Sequence, residues 1–163
     1  MSKSKIYSIR ETQPEDTQNF EMYISDAREV YLTSGLTPEV ALQRCLELSS
    51  KSYSVFLNDQ LVGIFGVGPL EHRRGCVWFL RTNEFLKVSI RDFFTISKAC
   101  LQWLEPGYDR LENRVWVNHT RTIKWLERLG FTFGEAFRID RPGFSGGPQN
   151  FLPFYKVNQC SNL

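Results

Sequence analysis

The sequence predicts an α/β fold: a mixed central sheet of about six or seven strands with helices on both faces. Three observations carry this expectation. Short β-rich runs are concentrated at the front of the chain and separated by tight turns, whereas strand and helix patterns alternate further on. The helical segments keep an apolar stripe at i, i+3, i+4 and i+7, so each has one face to bury. The 163 residues, 42% of them hydrophobic and 14% aromatic, suffice for one domain with a real core.

Ile6 to Glu11 alternates in polarity and reads as the first strand. Pro14-Glu15-Asp16 opens a helix, with acids suited to its dipole, that buries Phe20, Tyr23, Ile24, Ala27, Val30 and Tyr31 and stops at Gly35. Thr37-Pro38 restarts a helix, Thr as cap and Pro in the first turn, with Ala41, Leu42, Cys45, Leu46 and Leu48 inward. Ser52–Leu57 and Leu61–Gly68 form a hairpin around Asn58-Asp59-Gln60. A polar loop from Pro69 precedes a strand over Gly75–Arg81. Glu84 to Leu104 reads as one long helix, broken by Pro106-Gly107. Arg114–Val117 is a short strand, Thr120–Leu129 a helix closed by Gly130, and Phe131–Phe137 a strand. Arg141–Asn150, with three glycines and two prolines, is a loop; Phe151–Val157 is the last strand, and the tail from Asn158 frays. Phe144, Phe151 and Phe154 could serve an intersubunit surface or the core.

A formal net charge of +2 gives no field for nucleic acid, and no apolar run is long enough for a bilayer. The sequence has no secretory leader pattern, so a soluble, intracellular protein is expected. Cys45, Cys76, Cys100 and Cys160 show no CxxC spacing, and His72 and His119 are the two histidines, so no metal site is expected. The four thiols are expected to be reduced and mostly buried. No G-x-S-x-G elbow, P-loop or dinucleotide fingerprint occurs.

The segment His119-Thr120-Arg121-Thr122-Ile123-Lys124-Trp125-Leu126-Glu127-Arg128-Leu129-Gly130-Phe131 resembles the strand–helix–"LGF" segment of the acyl-CoA N-acyltransferase (GNAT) family. Its helix packs Ile123, Leu126 and Leu129 on the sheet, and Gly130 turns the chain into the next strand. Asp26–Glu29, Gln60–Pro69, Trp78–Asn83 and Asn113–Val117 follow in an order similar to that of GNAT-like internal virion or morphogenesis proteins of short-tailed bacteriophages. That narrower resemblance implies a phage protein found in the host cytoplasm or the virion.

The family resemblance implies an acyl-CoA donor and an amine acceptor held in a V-shaped opening between two parallel central strands. On this chain, cofactor contacts would fall on Leu80, Arg81, Thr82, Lys87, Ser89, Asn118 and His119. Pyrophosphate would sit on free N–H groups at a helix start. The stretch Arg81–Ser89 lacks the family's glycines, and Glu84 there would repel phosphate; Thr82 or Asn83 also suits an ordinary helix cap. Leu126 stands where many members carry an acidic tyrosine. A histidine at position 119 suits an acid or base role, or ordinary helix-start duty. Glu71, beside His72 past the third strand, is a candidate base near the cleft mouth or a solvated loop charge. Asp26 and Glu29, three apart on one helix face, are either paired carboxylates for a cationic amine or a solvated surface. Two functions stay open: N-acyl transfer, or a catalytically degenerate fold that binds a phage or host protein, with the cleft filled by side chains such as Phe85 or Trp125.

Overall fold

The computed structural model describes residues 4–158. Strand β1 (Tyr7–Glu11) leads into a 3₁₀ turn at Pro14–Thr17, and α1 spans Ile24–Ser34. The continuous helix expected from Pro14 is interrupted because Asp16 folds back on β1 and β2. Its carboxylate accepts from Arg10 at 2.6 and 2.7 Å, from the Gln13 N–H at 2.8 Å and from the Ser54 hydroxyl at 2.9 Å. Met22 then bridges to Thr82 before the helix begins. Gly35 closes α1 in the left-handed conformation, φ +72°, which favours glycine. In α2 (Pro38–Leu48) Thr37 accepts from the Val40 N–H.

Strands β2 (Lys51–Leu57) and β3 (Gln60–Pro69) form the expected hairpin. Asn58 and Asp59 both have positive φ, which matches the twist of the flanking strands. β4 spans Arg74–Arg81. The long helix expected from Glu84 is divided: a 3₁₀ stretch covers Asn83–Lys87, and α3 runs over Ile90–Leu104. Ser89 makes the break by accepting from the Asp92 N–H at 3.1 Å, a cap that starts a new helix. β5 (Arg110–Trp116) and α4 (Thr120–Arg128) follow. The strand expected over Phe131–Phe137 is two short ones, β6 (Thr132–Phe133) and β7 (Phe137–Ile139), both on β8 (Gln149–Val157). At Gly134 the backbone lies so close to β8 that an added Cβ would stand 3.0 Å from the Pro153 ring.

The sheet has eight strands in the order β1-β2-β3-β4-β5-β8-β6, with β7 also on β8. α3 and α4 cover one face, packing Cys100, Leu104 and Leu126 with Val62, Phe65, Val77, Leu111 and Val115. The other face carries α1 and α2: Leu42 packs with Ile64 and Leu80, and Leu32 with Trp116 and Phe151. Helices on both faces of a mixed sheet are what the alternation of elements dictates. Phe151 and Phe154 belong to the core, and Phe144 packs beside Leu32 and Trp116. Cys45, Cys76 and Cys100 are free thiols. Burial raises all three pKa values, Cys45 to about 11 and Cys100 to about 12. Cys160 and the tail beyond Asn158 lie outside the described residues. Among those described, no helix is long and apolar enough to cross a membrane, and no three metal-ligating side chains gather.

Candidate active site

β4 and β5 run parallel and stay paired over three registers, ending at Cys76 and Glu112. The Asn113 side chain spans the next step by donating to the Val77 carbonyl at 2.5 Å. Beyond it the strands part. β4 continues along β3 to Arg81 and β5 along β8 to Trp116, so each keeps its outer neighbour and loses its inner one. Because the ladder alternates, the backbone groups of Val77, Phe79 and Arg81 turn toward the gap, as do those of Arg114 and Trp116. A cleft of about 1310 Å³ fills this divergence and is lined from both faces of the sheet.

Helix α1 lies across the mouth and ties down both walls. Asp26 accepts from the Arg81 N–H at 2.9 Å and from its guanidinium at 3.0 and 2.6 Å. Tyr23 and Phe85 stack on the same guanidinium, at 5.0 and 4.3 Å from their ring centres. Glu29, one turn on, reaches the other wall. Its Oε2 lies 3.4 Å from the Trp116 N–H and 2.5 Å from His119 Nδ1. A nitrogen and a carboxylate oxygen this close must share a proton. Nδ1 carries that hydrogen and donates it to the Glu29 carboxylate. His119 Nε2 is buried with no hydrogen-bond partner, and its ring packs edge-on against Trp116. A buried polar atom left unpaired is costly unless something else meets it.

Asp26, Glu29, Leu80, Arg81, Asn118 and His119 all line the cleft. Their partners differ from those expected. The two carboxylates do not face an incoming cation together, since Asp26 is neutralised by Arg81 and Glu29 is engaged by His119. Arg81 is equally committed and is not a free phosphate ligand. Leu80 packs in the core with Leu42 and Ile64. Thr82 is buried, donating its hydroxyl to the Leu61 carbonyl at 2.5 Å and accepting from the Glu84 N–H. Lys87 pairs with Glu84 at 2.8 Å, which offsets the acid expected to repel phosphate. Ser89 caps α3. Glu71 is remote from the gap: it sits in the turn before β4, at the end opposite Arg81, roughly 20–25 Å along the strand.

Phe85 and Trp125 line the cleft without closing it. Trp125 contacts Phe93 at 5.1 Å and Phe79 at 6.4 Å, and its Nε1–H donates to Ser97. A feature absent from the expectations is a basic row on α4. Arg121, Lys124 and Arg128 line the cleft from one helix face, a placement that their i, i+3, i+7 spacing makes readable in the sequence. Arg128 lies over the Phe94 ring of α3 at 4.4 Å. With Arg44, Arg81 and Arg114, the lining holds six cations against the two carboxylates Asp26 and Glu29.

No protein-family model matches the chain, and no curated protein matches it. Solved structures do. A GNAT-family acetyltransferase from Streptococcus pneumoniae superposes with a TM-score of 0.63 at 13% identity, covering 93% of this chain and 99% of its own. A spermidine N-acetyltransferase from Vibrio cholerae, in complex with CoA and spermine, gives 0.68 at 12% identity, covering 93% and 95%. A ribosomal-protein-alanine N-acetyltransferase from Brucella melitensis gives 0.67 at 12% identity, covering 93% and 99%. At such identities the likeness is one of architecture, and that architecture, with its two central strands parting over a shared cleft, is the GNAT fold.

Proposed function

We propose that the protein transfers an acyl group from acyl-CoA to an amine, with His119 Nε2 as the proton acceptor. The observation that carries this reading is the placing of that atom: buried in the cleft and unpartnered, while Glu29 engages the other ring nitrogen. The CoA and spermine bound to a solved neighbour of this fold support a thioester donor and an amine acceptor.

The chain's residues suit an acyl-CoA. The row Arg121, Lys124 and Arg128 would hold its phosphates by side-chain charge, a substitute for the glycine-rich backbone cradle that Arg81–Ser89 lacks. Phe79, whose N–H faces the gap, would hold the carbonyl oxygen. When bound, acyl-CoA supplies an activated acyl group. His119 Nε2 takes the proton that the amine must lose, and Glu29 stabilises the imidazolium so formed. That imidazolium can return the proton to the departing thiolate, a role for which Leu126 has no chemistry.

A second reading keeps the fold without turnover. Leu86 and Ile90 are 65% and 79% exposed on the cleft rim, which favours a protein-binding module. The phage setting rests on the sequence segments alone. Steady-state assays with acetyl-CoA and a panel of amines separate the two. The transferase reading expects turnover in the wild type and a loss of about 10²–10⁴-fold in kcat for His119→Ala, with acetyl-CoA binding retained. Absence of turnover with every amine would favour the module.

A further inference from the structure

We infer that the acceptor is an amine that also carries an oxyanion, such as an amino acid, and that Arg44 and Arg114 read the anion. The inference rests on the transferase reading and concerns the α1/α2 side of the cleft.

Alternation along β5 turns Arg114 to the same face as Trp116, which packs under Leu32 of α1. Arg44 projects into the same cleft from α2, next to Cys45. Both cations thus line the α1/α2 side of the cleft. Cys45 packs with Ile64, Leu80 and Trp78 on this wall. Trp78 completes this wall, with its Nε1–H fixed on Ser49 Oγ at the end of α2, 2.7 Å away. Gly66 beneath it has no side chain because a Cβ there would stand 2.7 Å from the indole.

The charges on this side are unevenly used. Its two carboxylates already have partners, Asp26 in Arg81 and Glu29 in His119. Among the described residues, no carboxylate lies within ion-pair distance of Arg44 or Arg114, although Arg74 and Arg110 on the same strands both pair with Glu112. A wall with spent acids and two available guanidiniums repels a linear polycation and attracts an oxyanion. His119 Nε2 lies in the same cleft, so an amine presented beside that anion meets the base. A carboxylate and a phosphate ester share this chemistry, and the choice of amines separates them.

The test compares acetylation of leucine, leucinamide, O-phosphoethanolamine, ethanolamine and spermidine by the wild type and by Arg44→Gln and Arg114→Gln. Acetyl-CoA binding is measured in parallel by titration calorimetry. We expect leucine to exceed leucinamide by about 10- to 100-fold in kcat/KM, with spermidine poorest. That ratio should fall toward one in both variants. A comparable advantage of O-phosphoethanolamine over ethanolamine, without one for leucine, would assign the site to phosphate esters. If leucinamide or spermidine reacts as well as the anionic amines, the acceptor assignment falls and the transferase reading stands; if acetyl-CoA binds but none is acetylated, the transferase reading falls with it. If acetyl-CoA fails to bind, both fall together.

Discussion

Asp26 and Glu29, one helical turn apart on α1, hold opposite walls of the same cleft: Asp26 bonds the end of β4 through Arg81, and Glu29 meets the end of β5 through Trp116 and His119. The strands part below this helix, and the carboxylates cover polar backbone groups that parting leaves without a strand partner. One element thus both spans the mouth and holds His119.

The Asp26–Arg81 pair is buried, with side-chain exposures of 9% and 14%. Asp26→Ala leaves a buried guanidinium unpaired and should cost about 3–5 kcal/mol in urea unfolding. Asp26→Ala with Arg81→Met should cost less than the sum of the two single changes, because the double variant strands no charge.

On the transferase reading, Glu29 acts through His119 as a positioning residue. Glu29→Gln keeps an oxygen that can accept from Nδ1–H, whereas Glu29→Leu does not. We expect kcat to fall about 10²-fold in Glu29→Leu and less in Glu29→Gln, with acetyl-CoA affinity unchanged in both. Equal losses in the two variants would contradict the assignment.

The thiols give a test of burial. Cys45, at about 11, and Cys100, at about 12, are protonated at pH 8, and Cys76 is shifted the same way. In a Cys160→Ser background the native protein should not react with a thiol-disulfide reagent over minutes at pH 8, and denaturant should release three reactive groups.

Tyr7 donates to Asp92 at 2.7 Å, and burial together with this bond raises its pKa to about 12. A folded-state pKa above the unfolded value means the contribution is complete below pH 10 and is lost as pH climbs toward 12. Stability measured by denaturant titration should drop across that window in the wild type, and more shallowly in Tyr7→Phe.

The parts of this architecture that sequence foreshadows are those fixed by local chemistry. Gly35, Thr37-Pro38 and Asn58-Asp59 mark their caps and turn by conformational need alone, and the Ile123–Leu126–Leu129 stripe ending at Gly130 marks α4 and its exit. Breaks that need tertiary contacts are not foreshadowed. Asp16 stops the first helical pattern by binding Arg10 and Ser54. At the site, His119, Asp26 and Glu29 stand out by type and spacing. Their partners lie far along the chain, so neither Asp26 on Arg81 nor Glu29 on His119 can be read from local pattern. Glu71 fails as a cleft residue for a topological reason: the turn before β4 is at the wrong end of that strand. The basic row on α4 was legible all along at positions 121, 124 and 128.

The account depends on an open divergence of β4 and β5 that accepts a nucleotide thioester. Titration calorimetry of acetyl-CoA into the wild type and into the triple variant Arg121→Ala, Lys124→Ala, Arg128→Ala tests it most directly. We predict saturable one-to-one binding by the wild type, weakened at least about 10-fold in the variant and by added salt. No saturable heat in the wild type, or affinity indifferent to both the three substitutions and salt, would contradict it.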